Sequence, residues 1–271
     1  MMRWFDNRIG SALFTTGFYS WSIFLGLALI PTLVLPRGAL LWCVRLWVRG
    51  IAVMLRVLAG VHVEIRGREN IPQGAAIIAS KHQSEWEANV FNEILHDPVY
   101  IIKKELGLIP MYGLYARKMR MIFIDRSGRA KTMKKIIAQG RERAAQGRAL
   151  VIFPEGTRVR AGERQPYQIG VAGLYAQLDL PVVPVVHNSG MHWPKQTYRK
   201  IPGPIVIEFL PAIPPDLPKR EFMARLETTM ETAWLRLYAE QSGQPVEIIE
   251  QKLKEAGEIW ARENGTYKAH S

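Results

Sequence analysis

The segment Lys81–Glu87 (KHQSEWE) holds the side chains best suited to acid–base chemistry, with His82 five residues before Glu87. It directly follows a predicted strand, Ala75–Ser80, so the histidine is expected at the exposed end of a rigid element. A carboxylate at this spacing can reach one imidazole nitrogen, fix the tautomer and stabilise the imidazolium. The other nitrogen is then free to act as a general base.

The same residues also fit a purely structural role. Ser84-Glu85-Trp86-Glu87 is a capping box, in which Ser84 is the N-cap of a helix and Glu87 is its N3 residue. Spacing alone favours the cap over the catalytic pair, because a lone histidine is more often structural than catalytic. A second motif is needed to decide between the two roles.

The second motif is Phe153–Arg158 (FPEGTR), which follows another predicted strand, Ala149–Phe153. Its glycine permits close approach of a ligand to the backbone, and its arginine offers a planar fork that fits phosphate oxygens. In isolation the default interpretation of the segment is a β-turn with a solvated arginine. The sequence has no P-loop, GxGxxG, GxSxG or HExxH motif, which excludes those common phosphate, nucleophile and zinc sites.

The charge balance points to an anionic partner. Lys and Arg total 36 against 24 Asp and Glu, a formal net charge of +12. Nucleic acid, a phospholipid surface and a phosphorylated substrate would each suit this surplus. The aromatic residues cluster in the apolar N-terminal part and are not interleaved with basic runs, which disfavours nucleic acid. The single cysteine, Cys43, excludes an intramolecular disulfide and a cysteine-rich zinc site.

The N-terminal part is apolar enough to enter a membrane. Residues 9–36 contain no Asp, Glu, Lys, Arg or His, and a helix of this length would reach about 42 Å, more than the ~30 Å hydrocarbon core. The next apolar stretch, 40–59, carries Arg45, Arg49 and Arg56 on one helical side, as expected for a helix on an anionic membrane surface. A single span, a re-entrant hairpin and a buried core helix pair remain open.

The rest of the chain alternates strands with helices. The predicted strands are Val61–Arg66, Ala75–Ser80, Val99–Ile102, Met121–Asp125, Ala149–Phe153, Val182–Val186 and Ile205–Leu210. The predicted helices lie near 84–96, 106–117, 129–146, 168–178, 220–239 and 246–262. This order predicts an α/β domain over residues 60–271, with a largely parallel or mixed sheet flanked by helices. Residues 1–59 are expected to form membrane-embedded or interfacial helices.

Four short blocks occur in a fixed order along the chain. They are His82-Gln83-Ser84 with an acid at the fifth position, Ile122–Arg126 (IFIDR), Phe153–Arg158 and Leu180–Val185 (LPVVPV). Together they resemble the four blocks of the glycerolipid acyltransferase family, most closely the bacterial lysophosphatidate acyltransferases. Any one block alone is a weak signal, whereas four in order are specific.

The resemblance implies roles for individual residues. His82 is the general base, and Glu87 replaces the family's usual aspartate with an arm one methylene longer. Pro184 shapes the wall of the site. Met121 and Gln168 depart from the family pattern, which often has glycine and lysine at these positions. The residues implied to hold the glycerol phosphate are Arg126, Glu155, Gly156, Thr157 and Arg158.

The implied reaction transfers a fatty acyl group from acyl-CoA or acyl carrier protein to the sn-2 hydroxyl of 1-acylglycerol 3-phosphate (lysophosphatidate). The product is phosphatidic acid, and no metal or other cofactor takes part. The expected location is the lipid bilayer of the bacterial inner membrane, with residues 60–271 on the cytoplasmic face because the larger basic excess lies there. Two other functions stay open: acylation of another lysolipid, and non-catalytic binding to a membrane surface.

Overall fold

The computed structural model describes residues 7–125 and 129–263. The helices are α1 (Arg8–Ala28), α2 (Arg37–Ala59), α3 (Glu87–Ile94), α4 (Tyr112–Lys118), α5 (Arg129–Ala144), α6 (Gly170–Leu178), α7 (Ser189–His192), α8 (Lys219–Ser242) and α9 (Val246–Glu263). The strands are β1 (Val61–Arg66), β2 (Ile77–Ser80), β3 (Val99–Lys103), β4 (Ile122–Ile124), β5 (Leu150–Ile152), β6 (Val182–His187) and β7 (Gly203–Phe209). Single turns of 3₁₀ helix cover Ile30–Leu33, Arg68–Asn70 and Lys104–Leu108.

The strands form one mixed sheet of 7 strands in the order β1-β7-β6-β2-β5-β3-β4. Every neighbouring pair is parallel except β6 and β7, which are antiparallel. The central strands β2, β5 and β6 are buried along their whole length, as expected for strands covered on both faces. The predicted α/β class with a mixed sheet is confirmed.

Helices cover both faces of this sheet. On one face, α5, α6, α8 and α9 build a core that includes Tyr175 and Trp234. On the other face, α1, α2 and α3 build a second core that includes Phe14, Leu55 and Phe91. The N-terminal helices are therefore joined to the α/β domain through a shared apolar core.

The predicted helix over 106–117 is shorter than expected. The first part of this stretch falls in the 3₁₀ turn Lys104–Leu108, and the α-helix α4 begins only at Tyr112. Pro110 lies between the two pieces. A proline lacks the backbone N–H and disfavours helical geometry in the residue before it, which explains the interruption.

The charge-free N-terminal stretch is not one continuous helix of about 42 Å, because it forms α1 and the turn that follows, and α1 and α2 together make a helical hairpin. The helix α1 ends at Ala28, and a 3₁₀ turn containing Pro31 leads into α2. The two helices run antiparallel, with the Trp21 indole donating to the carbonyl of Trp47 at 3.2 Å. Within the described residues, α2 is the helix long and apolar enough to cross a membrane, and 33% of its most apolar window is buried.

Two of the three arginines of the basic stripe on α2 contact α3, although Arg49 and Arg56 are also exposed. Arg45 donates to the backbone carbonyls of Asn92 and Leu95 at the end of α3, at 3.2 and 3.3 Å. Arg49 pairs with Glu93 of α3 at 2.8 Å. The hairpin thus uses these two arginines to hold the α/β domain. The hairpin also exposes many large apolar side chains, which include Ile9, Leu13, Tyr19, Ile23, Phe24 and Leu27 of α1 and Trp42, Leu46, Val53 and Val57 of α2.

Candidate active site

The two motifs meet at the carboxyl ends of neighbouring parallel strands. The Lys81–Glu87 segment follows β2, and the Phe153–Arg158 segment follows β5, which pairs with β2. The loops are joined by backbone hydrogen bonds, since the Val159 N–H donates to the carbonyl of His82 at 2.7 Å. The His82 ring stacks on Phe153 with centroids 4.1 Å apart. This edge of a parallel sheet is the usual place for a ligand site in open α/β folds.

The contact between His82 and Glu87 expected from the sequence is present. His82 Nδ1 lies 2.9 Å from Glu87 Oε1. The carboxylate can only accept, so Nδ1 carries the shared proton and Nε2 is the nitrogen available as base. The Glu87 side chain is fully buried, while the His82 ring is 20% exposed. The geometry gives a fixed carboxylate behind an imidazole that lines an open cavity.

Glu87 accepts further hydrogen bonds that bind the loop together. Its carboxylate receives the backbone N–H groups of Gln83 and Ser84, both at 2.7 Å. It also accepts hydrogen bonds from the hydroxyls of Ser84 at 2.7 Å and Ser189 at 2.9 Å. Burial alone would raise the pKa of Glu87, but the His82 hydrogen bond and the charges of His187 and His82 outweigh it and lower the pKa to about 2. The carboxylate is therefore ionised at neutral pH.

The capping box is only half formed. Glu87 does accept the Ser84 N–H, as an N3 glutamate would. However, the Ser84 hydroxyl donates to Glu87 and accepts the Trp86 N–H at 3.0 Å, and α3 begins at Glu87 itself. The cap contact and the His82 contact are thus not alternatives, because the same carboxylate oxygen accepts both hydrogen bonds.

We expect Glu87→Gln to lower kcat at least about 100-fold, because an amide cannot hold the imidazolium as a carboxylate does. The amide NH₂ group would also face N–H and O–H donors with which it cannot form hydrogen bonds, so the melting temperature should fall as well. Glu87→Asp is the matched control, since it keeps the charge and should recover part of kcat. Steady-state kinetics and thermal melts of both variants measure this. A Glu87→Gln enzyme with the wild-type kcat would exclude the catalytic role.

A buried ion cluster lies directly behind the catalytic loop. Lys81, only 1% exposed, places Nζ 2.5 Å from Glu155 and 2.8 Å from Glu231 of α8. Its ammonium also lies 5.2 Å from the ring centre of Trp234. The Tyr167 hydroxyl donates to Glu231 at 2.8 Å. This cluster ties the two motif loops to α8.

The cluster accounts for Glu155, which the resemblance implied as a phosphate contact. Its carboxylate pairs with Lys81 and accepts the backbone N–H of His82 at 2.7 Å. Burial raises the pKa of Glu155, and the nearby Lys81 charge opposes that rise. These contacts assign the Glu155 side chain to holding the His82 backbone in place. Sequence spacing gives no signal for this contact, since His82 and Glu155 are 73 positions apart.

The other residues of the second motif line the cavity next to His82. Gly156 has φ +69, and a Cβ there would lie 3.0 Å from the Gln168 side chain, so the turn requires glycine. Thr157 is exposed, and the Arg158 side chain is partly exposed and paired with Glu85. Arg126, also implied to hold phosphate, lies outside the described residues.

Two lysines that the sequence did not single out line the same cavity. Lys103 ends β3, and Lys195 lies after α7 and donates to the backbone carbonyl of Arg158 at 3.0 Å. They add positive charge to the cavity lining. Lys103 could have been found only from the sheet order, which places β3 next to β5, and Lys195 only from its contact with the Arg158 carbonyl.

The cavity has a volume of about 1330 Å³ and is amphipathic. Its polar end contains His82 and the Gly156–Arg158 turn. Its apolar walls come from the N-terminal hairpin, α4 and the strands β3, β4 and β5, and they include Ile23, Leu27, Leu40, Val44, Tyr112, Ile102, Ile124 and Ile152. The volume exceeds that of most small-molecule pockets, which is typical of a site for a long ligand with one charged end.

The chain is similar in sequence to known acyltransferases. Residues 62–188 match the family model described as Acyltransferase. The chain is 36% identical over 181 residues to the 1-acyl-sn-glycerol-3-phosphate acyltransferase of Pseudomonas aeruginosa, covering 66% of this chain and 70% of that protein. It is 28% identical over 215 residues to the 1-acyl-sn-glycerol-3-phosphate acyltransferase alpha of Mus musculus, covering 78% and 75% of the two chains.

The fold is also shared with a solved structure. The crystal structure of the 1-acyl-sn-glycerophosphate (LPA) acyltransferase PlsC from Thermotoga maritima superposes with a TM-score of 0.70 at 22% identity, over 84% of this chain and 96% of that one. At this identity the match speaks for the fold alone. The family model and the Pseudomonas relative, together with the paired motifs around His82, show that the chain belongs to the acyltransferase family.

Proposed function

We propose that the protein transfers a fatty acyl group from an acyl thioester to the sn-2 hydroxyl of 1-acylglycerol 3-phosphate, giving phosphatidic acid. The observation that carries the proposal is the placement of His82, with Glu87 behind it, at the polar end of an amphipathic cavity that also contains Arg158. The names of the Pseudomonas and mouse relatives support lysophosphatidate as the acceptor. Acyl-CoA or acyl carrier protein is the donor, and the reaction uses no metal or other cofactor.

The proposed mechanism is direct transfer with a general base. His82 Nε2 takes the proton of the sn-2 hydroxyl as its oxygen attacks the thioester carbonyl, and Glu87 stabilises the resulting imidazolium. The tetrahedral intermediate then collapses, the C–S bond breaks, and the imidazolium returns the proton to the departing thiolate. A positioned base is typically worth about 10²–10⁴ in rate. No acyl-enzyme is needed in this scheme.

The acceptor is proposed to lie with its phosphate at the Gly156–Arg158 turn and its acyl chain along the apolar walls. Arg158 supplies a planar donor group for the phosphate, and the resemblance adds Arg126. The exposed apolar side chains of α1 and α2 are proposed to enter one leaflet of the bilayer. We place this surface at the cytoplasmic face of the bacterial inner membrane.

The direct test is the activity of the purified protein on two acceptors, lysophosphatidate and lysophosphatidylethanolamine, each with acyl-CoA and with acyl carrier protein as donor. We expect turnover of lysophosphatidate with at least one donor and little of the second acceptor, because its phosphodiester carries one charge fewer. Turnover of lysophosphatidylethanolamine alone would assign the enzyme to another lysolipid. No turnover with any pair would leave only a binding function and refute the proposal.

Arg158→Ala tests the phosphate contact. We expect KM for lysophosphatidate to rise about 10- to 100-fold, as lost charge-assisted hydrogen bonds typically cost about 1.5–3 kcal/mol. The melting temperature should hardly change, because Arg158 is 33% exposed and its pair with Glu85 is screened by solvent. Arg160→Ala, an exposed arginine two residues further on, is the matched control. Lower stability with an unaltered KM would remove Arg158 from the phosphate site.

A further inference from the structure

The arginine that is proposed to bind the acceptor phosphate already forms an ion pair with a carboxylate. Glu85 lies in the loop between His82 and Glu87, and its Oε1 accepts a hydrogen bond from Arg158 Nη1. Both side chains line the cavity that contains His82. A ligand that binds Arg158 therefore meets a negative charge that is already there.

The contact is built from fixed parts on both sides. The other oxygen of Glu85 accepts the indole N–H of Trp193 at 2.9 Å. Trp193 is 4% exposed and is packed edge-on against Phe14 at 5.1 Å. On the other side, the Arg158 carbonyl is held by Lys195 at 3.0 Å. Contacts with Trp193 and Lys195 thus fix the positions of both members of the pair.

The pair is nevertheless easy to displace. The Glu85 and Arg158 side chains are 50% and 33% exposed, and ion pairs this open to solvent contribute little to stability. A phosphomonoester brings up to two negative charges and three acceptor oxygens to the same guanidinium, whereas the carboxylate brings one charge. The phosphate should therefore displace Glu85 from Arg158, but it should bind more weakly than it would to an unpaired arginine.

We propose that Glu85 is a built-in competitor for the acceptor phosphate, an inference that rests on the proposed binding of phosphate by Arg158. In the free enzyme Glu85 holds Arg158. The phosphate of the acceptor displaces it, and Glu85 returns to Arg158 when the product leaves. The residue thereby sets the affinity of the site and favours release of phosphatidate, which carries the same phosphate group as the substrate.

Competition in the free enzyme has a specific signature. Every ligand that binds Arg158 must first break the contact between Glu85 and Arg158. The contact therefore lowers the affinity of each such ligand by the same factor. Substrate, product and inorganic phosphate differ greatly in size and hydrophobicity, yet removal of the competitor should strengthen all three equally. A general structural role of Glu85 would not produce a common factor.

Glu85→Gln is the test, because glutamine keeps an acceptor for the Trp193 indole and removes the charge. We expect KM for lysophosphatidate and the inhibition constants of phosphatidate and inorganic phosphate to fall together, by about three- to fivefold. Glu105→Gln, an exposed acid outside the cavity lining, changes the net charge equally and should leave all three constants unaltered. In an Arg158→Ala background, Glu85→Gln should have no effect on phosphate inhibition.

Other outcomes refute the competitor role. A higher KM in Glu85→Gln would mean that Glu85 orients Arg158 toward the phosphate. Constants that stay the same, or that change by unequal factors, would show that the free-enzyme contact does not compete. If the wild-type enzyme does not acylate lysophosphatidate at all, the proposed function fails, whereas an active wild type with an unaltered Glu85→Gln refutes only the competition.

Discussion

Replacing His82 with alanine is expected to lower kcat for acyl transfer by about 10²–10⁴, the usual contribution of a positioned general base. The ring is the group at the polar end of the cavity whose Nδ1 is held by Glu87 at 2.9 Å, and water cannot take its place with the same orientation. The fold should survive, since the ring is partly exposed and Glu87 keeps its hydrogen bonds to the Gln83 and Ser84 backbone.

Two further variants separate chemistry from structure. His82→Gln can still donate a hydrogen bond toward Glu87 but has no basic nitrogen, so it should be as inactive as His82→Ala. His96→Ala removes an exposed histidine in the loop after α3 and should keep wild-type kcat. Turnover is measured with saturating acceptor and donor, alongside thermal melts. A His82→Ala enzyme within tenfold of wild-type kcat would exclude the base assignment.

The sheet could be predicted closely from local sequence. The alternation in Val61–Arg66 and the short apolar runs of β2, β5 and β6 identify half-buried and fully buried strands, because burial on one or two faces dictates those patterns. Helix boundaries were less certain where a proline interrupts the chain, as Pro110 does before α4. The sequence does not decide between a single span and a hairpin at the N-terminus for the same reason, because hydropathy does not reveal the turn at Pro31.

Partners distant in sequence could not be predicted. Periodicity places Arg45 and Arg49 on one face of α2, but it cannot tell whether that face meets lipid or the carbonyls and Glu93 of α3. In the same way, the spacing of Glu87 fits both a cap and a partner of His82, and only the three-dimensional structure shows that one carboxylate accepts from both the Ser84 N–H and the His82 ring. The family resemblance implies Glu155 as a phosphate contact, and nothing local in the sequence reveals its buried ion pair with Lys81.

Lys81→Met should be the most destabilising single change in the site. The substitution leaves the carboxylates of Glu155 and Glu231 without their shared ammonium, and removing one partner of a buried ion pair typically costs about 3–5 kcal/mol. Arg164 still reaches Glu231 at 3.1 Å, so the larger penalty falls on Glu155. Glu155 accepts the His82 N–H, and kcat should therefore fall together with the free energy of unfolding.

The loss should depend on pH with a defined sign. The pKa of Glu155 is already raised by burial, and Lys81 opposes that rise, so removal of Lys81 raises the pKa further. A carboxyl group whose pKa is raised in the folded state destabilises the protein increasingly as the pH rises above the pKa that the group has in the unfolded chain. Urea unfolding of Lys81→Met in detergent should thus show a larger deficit at pH 8 than at pH 5. Glu227→Gln, exposed on the same helix as Glu231, is the control. A deficit that is equal at both pH values would show that an uncompensated Glu155 charge is not its cause.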